Sequence, residues 1–171
     1  MMKAKPKILF ISIAILVTTS IVSWLFLGSS GNQAPNVQMT LLNGKKLDLR
    51  SFHGHPVLIN FWATTCPGCV EEIPSLAKLY KQLSPQGFEI IGVAMSYDIP
   101  SQVKTMTQDK HIPYPITIDR SDSISKAFGT IRLTPTSFLI NPKGQIVYQK
   151  IGNVDTAKLK AQVEQMLRQS S

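Results

Sequence analysis

The chain has 171 residues and a formal charge of +8. Its length suits one domain plus an appendage. The basic excess forms no Lys/Arg run or stripe, which sets aside nucleic acid as a partner, and two cysteines with three scattered histidines cannot supply the paired Cys/His motifs of a structural zinc site.

The appendage comes first. Met1 to Lys7 carries Lys3, Lys5 and Lys7 and no acid, and Ile8 to Leu27 follows as twenty residues without a charge. A helix of that length rises about 30 Å, the thickness of a bilayer core, and Trp24 fits an interfacial anchor. The expected division is residues 1–7 as a cytoplasmic N-terminus, 8–27 as an uncleaved transmembrane signal anchor, 28–36 as a small, polar linker and 37–171 as the domain. A cleaved signal peptide is the alternative. It would have a shorter apolar core and a small-x-small cleavage site, although Thr18, Thr19, Ser20 and Ser23 dilute the second half of this span. No cysteine follows the apolar run, which excludes a lipoprotein anchor. The lysines before the span put the N-terminus in the cytoplasm and the domain outside, where disulfides persist. Taking those three lysines from +8 leaves +5 for the remainder, because residues 1–34 hold no acid.

Val37 to Leu42 and Lys45 to Leu49 read as short strands around Asn43-Gly44, a strong hairpin signal. Pro56 to Trp62 reads as a buried strand, rich in β-branched and aromatic residues. From Val70 to Leu83, Ile73, Leu76, Ala77, Tyr80 and Leu83 recur at helical spacing. Pro74 inside this pattern should kink the helix, and Ser84-Pro85-Gln86-Gly87 ends it. Phe88 to Met95 is a second buried strand. Pro100 to Lys110 can form a helix with Val103 and Met106 inward, Pro115 to Ile118 a short strand, and Ser121 to Phe128 a short helix stopped at Gly129. Strands over Thr136 to Ile140 and Gln145 to Ile151 flank the turn Asn141-Pro142-Lys143-Gly144. Asp155 caps a last helix from Thr156 to about Arg168. This alternation indicates an α/β fold, a sheet covered on both faces.

The chemistry lies in Cys66-Pro67-Gly68-Cys69, between the Pro56–Trp62 strand and the following helix. Pro67 suits the first helical turn, where a missing N–H costs nothing. The helix N-terminus stabilises a thiolate on Cys66, so a disulfide across the turn can reopen. Three other readings fit the pair less well. A zinc site lacks its second pair of ligands. A purely structural disulfide would close a tiny loop and constrain the unfolded chain little. A peroxide-reducing cysteine would want Thr or Ser where Ala63 stands. Cys66 is the candidate attacking thiol. Cys69, one turn inside, resolves the mixed disulfide. Glu72 follows Cys69 by three residues on the same helix face and is the candidate proton acceptor; Glu71 reads as an exposed acid.

Several separated segments resemble the TlpA/ResA group of membrane-anchored thioredoxin-like proteins, over roughly residues 35 to 168. They are Ile59 to Cys69, Glu72 with Pro74, Thr134-Pro135 with Thr136 to Asn141, Gly152, and the insertion from about Tyr97 to Ile118. The resemblance implies a thioredoxin-like three-layer sandwich: a central mixed sheet with helices on both faces, an N-terminal β-hairpin and a central helix–strand insertion. It implies a protein thiol–disulfide oxidoreductase without a cofactor or metal, its catalytic residues Cys66, Cys69, Glu72 and Pro135, the last a cis-proline facing the cysteines. Trp62, Thr65, Pro67, Thr134 and Gly152 would form the substrate groove, with the Thr134 backbone pairing with a client strand and touching the cysteine sulfurs. The implied partners are protein disulfides such as those of apocytochrome c, and a membrane thiol-transporting electron donor. Two departures stand out. Thr65 replaces the aromatic usual before the first cysteine, and Pro67-Gly68 replaces the Gly-Pro of thioredoxin. Asn60 sits where plain thioredoxin has a buried aspartate, as is common in this group. A copper-delivery role for the same cysteines is the rival reading; it would want a longer cysteine spacing and a distal histidine, and His53 and His55 lie in a loop before the strand.

Overall fold

The computed structural model describes residues 33–170; the expected span Ile8–Leu27 lies outside them. Among the described residues no helix is long and apolar enough to cross a membrane. The described chain opens with strands β1 (Gln38–Thr40) and β2 (Lys46–Asp48), an antiparallel hairpin in which Gly44 takes φ +82°. Both strands are shorter than the apolar runs suggest. Leu41 keeps its hairpin bond, donating from N to Lys45 O at 2.9 Å, and also bridges Thr117, while Leu42 N donates to Ile116 O at 2.9 Å, so the hairpin docks on the main sheet. Beyond β2 the Asp48 carboxylate accepts from Arg50 N at 2.9 Å and caps a 3-10 turn over Leu49–Phe52, which no periodicity announced.

The main sheet contains β3 (Val57–Trp62), β4 (Glu89–Ala94), β5 (Ile116–Ile118), β6 (Thr136–Ile140) and β7 (Ile146–Ile151), ordered β5-β4-β3-β6-β7. β3 pairs parallel with β4 and antiparallel with β6, so the sheet is mixed. The helices are α1 (Pro67–Leu83), α2 (Pro100–Asp109), α3 (Ser123–Ala127) and α4 (Thr156–Ser170).

Every residue of β3 is buried, because the pleat sends alternate side chains into two cores. Leu58 and Trp62 join Ile90 and Leu139 beneath α1, α2 and α4, which contribute Leu76, Leu79, Val103, Leu159 and Val163. Val57, Ile59 and Phe61 join Ile91, Val93, Phe138 and Ile140 on the other face. Met39 and Leu49 from the hairpin end and Ile124 and Phe128 from the α3 region close that core, with the rings of Phe61 and Phe128 edge to face at 5.5 Å. Helices therefore cover both faces, but unequally. α3 is shorter than its apolar pattern, because Asp122 takes a left-handed φ of +57° just before it. The buried Asp119 carboxylate caps it, accepting from Ile124 N (3.1 Å) and Ser125 N (2.7 Å). The C-terminal ends of β3 and β4 and the N-terminal end of β6 meet at one pole, and the cysteine segment leaves β3 there.

Candidate active site

Cys66 is the N-cap of α1, with extended backbone at φ −96° and ψ 108°. Its Sγ accepts from Cys69 N at 3.2 Å, one of the amides that a helix start leaves free. Pro67 occupies the first helical position, where its ring angle fits and no donor is lost. Val70 N then bonds Cys66 O at 3.1 Å. The sequence thus places a sulfur on the positive end of a 17-residue helix. Cys66 and Cys69 are joined by a disulfide. Cys66 is half-buried, whereas Cys69 is 3 % exposed, so only Cys66 is open to an incoming sulfur.

The Thr134–Pro135 bond is cis, and Thr134 O lies 3.3 Å from Cys66 Sγ. In the reduced protein the Cys66 thiol has this carbonyl as an acceptor. Gly152 N donates to Pro135 O at 2.8 Å and so pins the loop from behind. Gly152 takes φ +87°, and a Cβ there would meet nothing within 4 Å, so backbone conformation and not space calls for glycine. Thr65 and Pro67 are exposed, Thr134 is half-buried and Pro135 is buried. Trp62 departs from its expected place in the groove. At 3 % exposure it belongs to the core beneath α1, with Nε1 unpaired against the face of Gly92. The physical reason is the pleat, which turns Trp62 to the same side as Leu58 and Ile90.

Glu72 is 5 % exposed, and its carboxylate is held from two sides. Oε1 accepts from Asn60 Nδ2 at 3.0 Å, and Oε2 accepts from Val154 N at 2.6 Å. Asn60 Nδ2 also donates to Ser137 Oγ at 2.9 Å. Burial raises the proton affinity of Glu72, and the bonds from Val154 and Asn60 only partly oppose it. The Glu72 charge in turn helps burial push the Tyr114 phenol upward. Among the described residues no ion pair involves Glu72. It can therefore hold or release a proton without breaking a salt bridge, beneath the turn that carries the cysteines. Glu71, its neighbour, is exposed.

Sequence reasoning missed three members of this site. Ser137 interrupts a buried strand as a polar residue, and that interruption is the signal that could have found it. Asp98 (6 % exposed) accepts from Thr64 N at 2.9 Å and Thr64 Oγ1 at 2.7 Å, tying the β4–α2 loop to the residues just before Cys66. Asn153 places Oδ1 2.9 Å from where a Cβ on Gly68 would be, with Pro135 Cδ at 3.8 Å. Gly68 is thus the inter-cysteine residue that lets the turn approach the cis-proline loop. Asp98 and Asn153 lie in irregular segments, where sequence periodicity says nothing. His53 and His55 line a cavity of about 330 Å³ with Val57 and Ile140, at the opposite end of the sheet from the cysteines.

The Redoxin family model matches residues 29–167. Thiol-disulfide oxidoreductase ResA of Bacillus thuringiensis subsp. konkukian (strain 97-27) is 37 % identical over 139 residues, covering 81 % of this chain and 76 % of that protein. The chain belongs to the Redoxin family and to its ResA-like thiol–disulfide oxidoreductases. A second ResA, from Halalkalibacterium halodurans, is 37 % identical over 129 residues, 75 % of this chain and 72 % of that protein. The crystal structure of a thiol:disulfide interchange protein of the thioredoxin family from Chlorobium tepidum TLS superimposes with a TM-score of 0.74 at 28 % identity, covering 81 % of this chain and 98 % of that one. The thioredoxin-like fold and the thiol–disulfide oxidoreductase activity expected from Cys66-Pro67-Gly68-Cys69 both hold.

Proposed function

We propose that this ResA-like chain is a reductant of protein disulfides, tethered by Ile8–Leu27 to the outer face of a bacterial cytoplasmic membrane, with apocytochrome c before haem attachment among its clients. In the forward step the Cys66 thiolate attacks one sulfur of the client disulfide. A Cys66–client disulfide forms, and the second client sulfur leaves as a thiolate that takes up a proton. Cys69 then gives its proton to Glu72 and attacks Cys66 Sγ. The client sulfur bonded to Cys66 leaves as a thiolate and takes up a proton, so the client departs as a dithiol and the Cys66–Cys69 disulfide remains. A membrane thiol-transporting donor would return it to the dithiol.

One observation carries the direction: among the described residues the buried Glu72 carboxylate has no counter-ion. A negative group beside the thiols disfavours their thiolates. Oxidants of this fold owe their high potential to a stabilised reduced form, so Glu72 favours a low potential and a reducing role. The tether reading is supported by Lys3, Lys5 and Lys7 ahead of an uncharged span.

The test is the redox state of Cys66–Cys69 in living cells, trapped by rapid acid quench and thiol alkylation. The reduced form should dominate, and equilibration with glutathione should give a potential well below about −200 mV. A predominantly oxidised pair would overturn the direction. For the tether, the protein should stay with membranes after a high-salt wash and expose Cys66 to protease added from outside; a soluble chain lacking residues 1–30 would refute it. The copper-chaperone reading finds less support, since His53 and His55 stand at the far end of the sheet. Copper titration of the reduced protein separates the two.

A further inference from the structure

Among the described residues, six large apolar side chains are exposed, and four of them, Tyr97, Ile99, Leu133 and Ile151, stand at the pole that carries Cys66. The sheet order explains the gathering. Leu133 precedes β6 and Ile151 ends β7, on one side of the cysteines; Tyr97 and Ile99 follow β4, on the other. This second pair belongs to no element of the exchange chemistry. Tyr97 is 62 % exposed and Ile99 53 %. Between them sits Asp98, buried, with both carboxylate oxygens on Thr64. The loop is therefore fastened to the segment that presents the nucleophile, and its two apolar side chains are held out as a rigid lip. Along the first turns of α2 runs an open groove of about 390 Å³ that reaches Thr64 and Thr65, with Thr105 and the half-buried Met106 in its wall.

We infer that this lip selects clients: Tyr97 and Ile99 seat an apolar side chain that flanks the client's cysteine, while the client sulfur reaches Cys66. The inference rests on thiol–disulfide exchange at Cys66 and names the class of protein that undergoes it. The occupant follows from continuity, since Asp98 fastens this loop to Thr64, two residues before Cys66, and a chain joined to Cys66 lies beside that segment. The size of the patch agrees. The two side chains offer on the order of 200 Å², far below the ~800 Å² per partner of a stable interface. A contact of that size supports a transient encounter, in which the mixed disulfide supplies the attachment and the lip only chooses.

The test uses the full-length chain, reduced, with three oxidised substrates. Two are synthetic peptides with one internal disulfide, flanked in one case by Leu and Phe and in the other by Ser and Gln. The third is hydroxyethyl disulfide, which has no side chain to seat. The wild-type chain should prefer the apolar peptide by about tenfold in kcat/KM (~1.4 kcal/mol). The double variant Tyr97→Ser/Ile99→Ser should reduce that preference to about onefold, through KM. A retained preference overturns the inference. So does an equal loss on all three substrates, which would mean that the lip supports the cysteines themselves, and so does a shift from dimer to monomer in sedimentation, which would make the patch a contact between copies of this chain. If the wild-type chain reduces none of the three, it is the reductant reading that fails.

Discussion

Replacing Glu72 by Gln should lower the proton affinity of both thiols, and the structure sets the scale. Glu72 and Cys69 are three residues apart on α1, which puts their side chains roughly 6 Å from each other. At an effective dielectric of about 20, a unit charge at that distance is worth roughly 3 kcal/mol, or about 2 pKa units. Cys66 is a further turn away, and at roughly 9 Å the same arithmetic gives about 1 unit. These figures, about 2 units for Cys69 and about 1 for Cys66, are upper bounds for a fully ionised carboxylate, because burial raises the proton affinity of Glu72. The substitution is gentle for the fold. A Gln oxygen can still accept from Val154 N, and the Asn60 amide can turn over to meet the new NH₂ group while Ser137 Oγ rotates to donate.

The assay is thiolate absorbance or alkylation rate of the reduced protein against pH, with Glu71→Gln as the exposed control. Unchanged titration in both variants would refute the coupling and leave Glu72 as a packing residue. A second readout follows from linkage. Because the folded-state affinity of Glu72 for its proton is raised, the folded protein binds the proton more tightly than the unfolded chain does. Wild-type stability at this site is therefore greatest below the unfolded value of about 4.5, and it falls as pH rises from there through the folded value. Glu72→Gln should remove that slope, so urea midpoints of the two proteins should diverge in favour of the variant as pH rises above about 4.5. A parallel pH dependence would contradict the raised affinity.

The remaining predictions concern the cysteines and two glycines. Cys69→Ser should accumulate mixed disulfides with clients on non-reducing gels, and Cys66→Ser few or none, since Cys69 is buried; equal trapping would contradict the assignment of Cys66 as nucleophile. Gly68→Ala should be nearly tolerated, costing under ~1 kcal/mol, because the colliding Asn153 Oδ1 ends an exposed side chain. Adding Asn153→Ala should erase that cost in thermal denaturation, and an undiminished cost would place the strain elsewhere. Gly92→Ala should cost more, about 1–3 kcal/mol, because its Cβ would collide with the buried Ile116 side chain and crowd Trp62 and Tyr114; a midpoint within about 0.5 kcal/mol of wild type would refute the close packing there.

The order of elements was legible because each carries a local signal. The mostly apolar runs of β3 and β4 mark strands buried on both faces, and the 3.6-residue spacing from Ile73 to Leu83 marks α1. The boundary of α3 was not legible. It depends on Asp122 turning left-handed and on Asp119, the residue just after β5, reaching forward to cap the helix. The hairpin ends were hidden for a similar reason, since Leu41 and Leu42 also reach β5, residues distant in sequence. Cys66, Cys69 and Glu72 could be picked out because one helix spaces them. Asn153 and Asp98 reach the same site from loops distant in sequence, and only the sheet order brings them there.

Trp62 shows where adjacency in sequence misleads. It stands four residues before Cys66, yet the pleat of β3 directs it inward, and the residues that flank the half-buried Cys66 come instead from the loops after β4 and before β6 and from the end of β7. Glu72 shows the converse. Its helix position alone would fit a surface acid as well as a buried one. What decides is that Asn60 and Ser137 are polar residues on the α1 face of otherwise apolar strands, and that Val154 N has no strand partner after β7 ends. Two donors that folding must bury, Asn60 Nδ2 and Val154 N, converge on one carboxylate, and Ser137 Oγ accepts from the same Asn60 amide. An apolar residue at position 72 would leave Val154 N and one Asn60 hydrogen unpaired, at about 1–3 kcal/mol each. The carboxylate is thereby retained beneath the cysteines, with its proton affinity raised by the same burial that keeps it in place.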